Sequence, residues 1–117
     1  MMEITINISD KLAAQIGGAN IWLSTIIELS LVGFRHPSTN RASAETIKFL
    51  STNPLPHEVL SFYIADEQQK RLDYLLDLNR EGKIRETERQ ELDEWMKLDH
   101  ITILLKAQAG KLVKQAR

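Results

Sequence analysis

Between Asn20 and Phe34 the chain reads NIWLSTIIELSLVGF, and its apolar positions do not fit on one stripe of a helix. Ile21, Trp22, Leu23, Ile26, Ile27, Leu29, Leu31, Val32 and Phe34 point in nearly every direction once the segment is wound as an α-helix. Such a helix has to be covered on most sides, so whatever the chain folds into must wrap this segment. The run is interrupted by Ser24, Glu28 and Ser30 and is too short to cross a bilayer core of about 30 Å, so no membrane partner is expected. No secretory signal is visible, and the absence of cysteine from 117 residues removes disulfides and thiolate chemistry; the expected location is the cytoplasm.

The stretch EITINISDKLAAQIGG lies before it. Ile4, Ile6 and Ile8 alternate with Glu3, Thr5 and Asn7, the period of a half-buried β-strand. Ser9 or Asp10 can then cap a short helix carrying Leu12 and Ile16, which Gly17-Gly18 ends. No later stretch alternates as cleanly, so the strand lacks a partner within the chain. The strand and short helix also offer too few apolar side chains to cover residues 21–34. Two copies related by a two-fold axis would answer both needs, pairing their strands antiparallel and packing their apolar helices together. Ile4, Ile6 and Ile8 with Trp22, Ile26 and Leu29 are therefore expected to form the centre of a homodimer.

Strand, short helix, glycine turn and apolar helix, in that order, resemble the ribbon-helix-helix family of DNA-binding proteins, which includes many antitoxins, over residues 2 to 35. The runs ITINISDKLAAQI, NPLPHEVLSF and RLDYLLDLNREGKIRETERQELDEWMKLDHITILLKAQAG are similar to small cyanobacterial antitoxin-like proteins found beside nucleases. The resemblance implies that paired strands enter the major groove of double-stranded DNA, with Thr5 and Asn7 facing base edges. Lys11 would add a cation, and the helix start at Asn20, with Ser24 nearby, would meet a phosphate. Charge weighs against tight binding: residues 1–50 hold four cations (Lys11, Arg35, Arg41, Lys48) against four anions (Glu3, Asp10, Glu28, Glu45).

From His36 the character changes. Pro37, Ser38, Asn40 and Ser43 read as a loop, Ser43 caps a short helix with Ile47, Phe49 and Leu50, and Asn53-Pro54-Leu55-Pro56 breaks it. Val59, Leu60, Phe62 and Tyr63 suggest that this connector lies against a surface. Asp66 with Gln69 forms a capping-box pattern opening a helix with Leu72, Leu75 and Leu76, which ends at Asn79-Arg80-Glu81-Gly82. Relatives of the antitoxin-like group tend to carry Thr-Pro where this chain has Arg85 and Glu86, which moves the next cap to Thr87 with Gln90; a long helix follows to about Val113. The expected fold is mainly α with one N-terminal β-strand. A ribbon-helix-helix-like dimer unit over 1–36 leads through a connector over 37–65 to a C-terminal αα-hairpin over 66–117.

The long helix carries more apolar residues than one stripe can hold, and Trp95, Leu98, Ile101, Leu104 and Leu105 are the candidates for binding a partner protein. The competing expectation is that this face packs on residues 47–63. From Asp66 to Asp99 there are eleven acidic and seven basic residues, a match for a basic cleft. Catalytic patterns are missing: His36, His57 and His100 have no metal-ligand spacing, and Asp99 and His100, being adjacent, point about 100° apart on a helix. No cofactor, metal or small-molecule substrate is expected. The expected function is a dimeric antitoxin that masks a nuclease-type toxin, with regulation of its own promoter as a further role. The alternative is a non-catalytic oligomeric scaffold or adaptor without DNA binding.

Overall fold

The computed structural model describes residues 9–10 and 20–115, and the described residues form five helices and no strand. They are α1 (Leu23–Val32), α2 (Pro37–Ser51), α3 (Pro56–Leu60), α4 (Asp66–Arg80) and α5 (Glu86–Gln115). The last is the mast of the molecule. Its 30 residues rise about 45 Å, which matches the longest dimension of 46 Å, and the other four helices all pack against it. Among the described residues no helix is long and apolar enough to cross a membrane.

Each end of α1 is fixed by local chemistry and then tied to a distant element. Asn20 Oδ1 accepts from the Trp22 N–H at 2.7 Å, while its Nδ2 donates to the Leu50 carbonyl at 2.7 Å, near the end of α2. The Trp22 indole N–H donates to the Pro54 carbonyl at 2.8 Å. Gly33 then stops the helix in the left-handed conformation, at φ 68°. Proline at the first helical position starts α2, where a missing N–H leaves nothing unsatisfied. Asn53, at φ 56°, and Pro54 turn the chain into the single turn of α3.

The core is one cluster drawn from all of these elements. Trp22, Ile26, Leu29 and Phe34 meet Ala42 and Leu50 of α2, Val59 of α3, Leu75 of α4, and Leu92, Trp95, Leu98, Ile101, Leu105 and Ala109 of α5. On α5 these residues recur every three or four positions, the stripe that faces a neighbour.

This arrangement corrects the expected fold class. In a ribbon-helix-helix dimer the apolar helix is covered by its counterpart in the second copy; here Trp22 is fully buried, and Ile26 and Leu29 nearly so, inside their own chain. The segment is covered on one side and not on most sides, since Ile21 remains 50% and Leu31 70% exposed. Its cover comes from α2 and α5, elements far along the sequence, so Trp22, Ile26 and Leu29 sit in an intrachain core. Ile4, Ile6 and Ile8, the expected strand, lie outside the described residues.

Two further expectations change. Pro37, Ser38, Asn40 and Ser43 are helical from the first residue of α2, with no loop between them. Neither expected capping box forms at the start of α4 or α5. Ala65 occupies the position before α4, Gln69 instead donates to Asp73 at 3.0 Å, and Glu88 accepts from the Arg85 N–H at 3.0 Å at the opening of α5.

Candidate partner-binding groove

Three consecutive residues between α3 and α4, Phe62, Tyr63 and Ile64, run alongside α5 and leave a groove of about 240 Å³. Its long wall is a single face of α5. Trp95, Leu98, Asp99, Thr102, Ile103 and Lys106 follow one another at alternating steps of three and one residues, so they stack along one side of that helix. Thr46 of α2 and Gln69 and Leu72 of α4 close the remaining sides. Phe62 is held in place by a parallel stack on Phe49 of α2, with ring centroids 4.4 Å apart.

The mouth is partly polar and the floor apolar. Tyr63 is 78% exposed, and the Lys106 ammonium stands 4.0 Å above its ring in a cation–π contact. Ile103 is 58% exposed on the opposite rim. Asp99 is exposed and has no hydrogen-bond or ion-pair partner among the described residues. Within the floor, the buried Trp95 indole N–H has no acceptor. A buried donor in that state costs on the order of 1–3 kcal/mol, so the site carries one unmet hydrogen-bonding demand.

Behind the groove, two carboxylates fix α5 to the rest of the chain. Glu94 accepts from the backbone N–H groups of Arg35 and His36, each at 3.1 Å, and from the Thr39 hydroxyl at 2.6 Å. It thereby closes the N-terminus of α2 from 55 positions away in sequence. One turn earlier, Glu91 takes a forked pair from Arg71 of α4, Nε at 2.9 Å and Nη2 at 2.7 Å, and a third bond from the Ser38 hydroxyl at 2.5 Å. The Arg71 hydrogen bond outweighs burial and, with Ser38, holds the Glu91 carboxyl below its ordinary range. For Glu94, burial pushes upward, but the Thr39 hydroxyl and the His36 and Arg35 N–H groups prevail and hold it low as well. Carboxylates so engaged position helices, and their lowered basicity ill suits proton transfer.

The sequence-derived partner residues divide across this geometry. Trp95 and Leu98 line the groove; Ile101 and Leu105 belong to the core; Leu104 is 53% exposed but stands outside the groove lining. Phe62, Tyr63, Ile103 and Lys106 were not among the candidates, and the stripe from Trp95 to Lys106 was the signal that would have selected the last two. Of the proposed DNA contacts, Thr5, Asn7 and Lys11 lie outside the described residues. Asn20 is buried and spends both ends of its amide inside the fold, whereas Ser24 is exposed on α1. His100 is exposed on α5. Among the described residues no three His, Asp or Glu side chains come together as a metal-holding group.

No protein-family model matches this chain, and searches of curated proteins and of solved structures give no match either.

Proposed function

We propose that the protein is a non-catalytic binding module, the adaptor among the readings above, which takes an apolar side chain of a partner protein into the groove between Phe62 and α5. The observation that carries this is the juxtaposition of an apolar floor with exposed Tyr63 and Ile103 on its two rims. Its volume supports a protein partner over a metabolite. About 240 Å³ falls below the 300–1,000 Å³ typical of small-molecule sites and suits one anchoring side chain. A second reading, the masking of a nuclease-type toxin, is favoured by the surplus of eleven acidic over seven basic residues from Asp66 to Asp99.

Site-specific photocrosslinking tests the proposal. A benzophenone amino acid is placed at position 103 in the full chain, and at position 81, on the exposed turn after α4, as a control. A defined protein crosslinked from position 103 alone, which then binds the purified chain and loses affinity on Ile103→Asp, is the expected result. Crosslinking only between copies of the chain, or equal yields from both positions, would overturn it. If the captured partner is a nuclease, its inhibition by the purified chain decides the second reading.

A further inference from the structure

We infer that the segment received by the groove is cationic beside its apolar anchor: an aliphatic or aromatic side chain enters against Leu72, Trp95 and Leu98, and a lysine or arginine close to it in sequence pairs with Asp99. This rests on the groove being a partner site, as proposed above, and adds the chemistry of the partner.

Two charges stand at the mouth, and they differ in availability. The Lys106 ammonium is engaged over the Tyr63 ring at 4.0 Å, which fixes its position and leaves one positive charge against the carboxylates of Asp99 and Asp73. Asp99 has no partner among the described residues. One turn of α4 beyond the lining residue Gln69 lies Asp73, a second carboxylate, which accepts from Gln69 itself at 3.0 Å. Gln69 is neutral, so that bond leaves the Asp73 charge uncompensated. An anionic segment would bring like charge to both carboxylates, and a purely apolar one would lower the hydration of Asp99 without replacing it. A cationic flank removes both difficulties.

The probe is a random library of short peptides selected against the full-length chain. Enriched sequences are expected to combine one large apolar residue with a lysine or arginine within a few positions of it. Asp99→Asn should weaken a selected peptide about threefold, the size of an exposed ion pair, and the effect should vanish for the same peptide with its cation replaced by glutamine. Ile103→Asp should weaken it by more than about tenfold. The two tryptophan indole N–H signals in a nitrogen–proton NMR spectrum give the location: the one from Trp95 should shift, while that of Trp22, bonded to Pro54, should stay. Peptides that need Ile103 but show no preference for cations, or are indifferent to Asp99→Asn, would overturn the cationic assignment and leave the groove as a binding site. No enrichment, or peptides that bind Ile103→Asp as well as the parent chain, would overturn both.

Discussion

Removing the Glu94 carboxylate tests how the groove wall is held, because that side chain joins α5 to the start of α2. Glu94→Ala deletes the acceptor for the Arg35 and His36 N–H groups and for the Thr39 hydroxyl. Thr39 is fully buried, and its hydroxyl keeps only the His36 carbonyl at 3.1 Å. Loss of a capping acceptor costs about 1 kcal/mol, and loss of a charge-assisted bond to a buried hydroxyl about 1.5 kcal/mol more. Arg35 is exposed and its N–H recovers water, which keeps the total near 2–3 kcal/mol, or about 10 °C in Tm for a chain of this size. Glu94→Gln retains one oxygen for Thr39 and should lose only about half as much. Urea unfolding followed by circular dichroism measures both, with the exposed neighbour Asp93→Ala as a control expected within about 0.5 kcal/mol of the parent. Hydrogen exchange should show the Arg35 and His36 amides losing protection first. A loss under about 0.5 kcal/mol for Glu94→Ala, or an equal loss for the control, would refute the assignment.

The lowered carboxyls predict an acid limb with a definite sign: stability from Glu91 and Glu94 is full above the unfolded carboxyl range near 4.3–4.5 and is lost as pH falls through their folded values. The urea midpoint should therefore fall below about pH 4.5, less steeply in a Glu91→Gln, Glu94→Gln double variant, and an unchanged slope would contradict the assignment. Asn20→Ala should cost about 1–2 kcal/mol in thermal unfolding, because it strands the Trp22 N–H and removes one of two donors to the Leu50 carbonyl, which keeps the Asn53 N–H at 3.0 Å; an unaltered Tm would return Asn20 to a surface role. Gly33→Ala should cost about 1 kcal/mol from backbone strain alone, since φ is 68° and no atom stands within 4 Å of the added methyl; Gly33→Asn should cost less, and equal losses for both would argue against that cause.

Helices were legible wherever their own residues determine them. The periodic apolar positions of α4 and α5 and the breaker Asn53-Pro54 follow from local pattern, whereas cover on most sides of residues 21–34 does not hold, since Ile21 and Leu31 stay exposed. The start of α2 was not legible. Pro37, Ser38, Asn40 and Ser43 are turn-forming residues in isolation; Pro37 fits the first helical position, and the carboxylate that closes the helix start is supplied by α5. The expected fold class rested on the same local view: it balanced the apolar helix only against the residues before it and a second copy, whereas α2 and α5 bury Trp22, Ile26 and Leu29 within the chain.

The groove follows from a mismatch of helix lengths that no local motif announces. At about 1.5 Å per residue, the 15 residues of α4 run half the length of the 30-residue α5. The Arg71–Glu91 fork fixes their antiparallel register, which sets the opening turns of α4 beside the middle of α5, near Trp95 and Leu98. Beyond that level α4 offers no cover, and the chain entering it, Phe62 to Ile64, is too short to replace a helix. Trp95 and Leu98, each 2% exposed, back the groove from within the core, while Ile103 on its rim keeps more than half its surface. Extending α4 backwards by replacing Tyr63 and Ile64, which precede the helix-favouring Ala65, with strong helix formers should therefore close the groove and raise stability while abolishing partner binding. A variant that gained stability yet still bound would place the partner site elsewhere on α5.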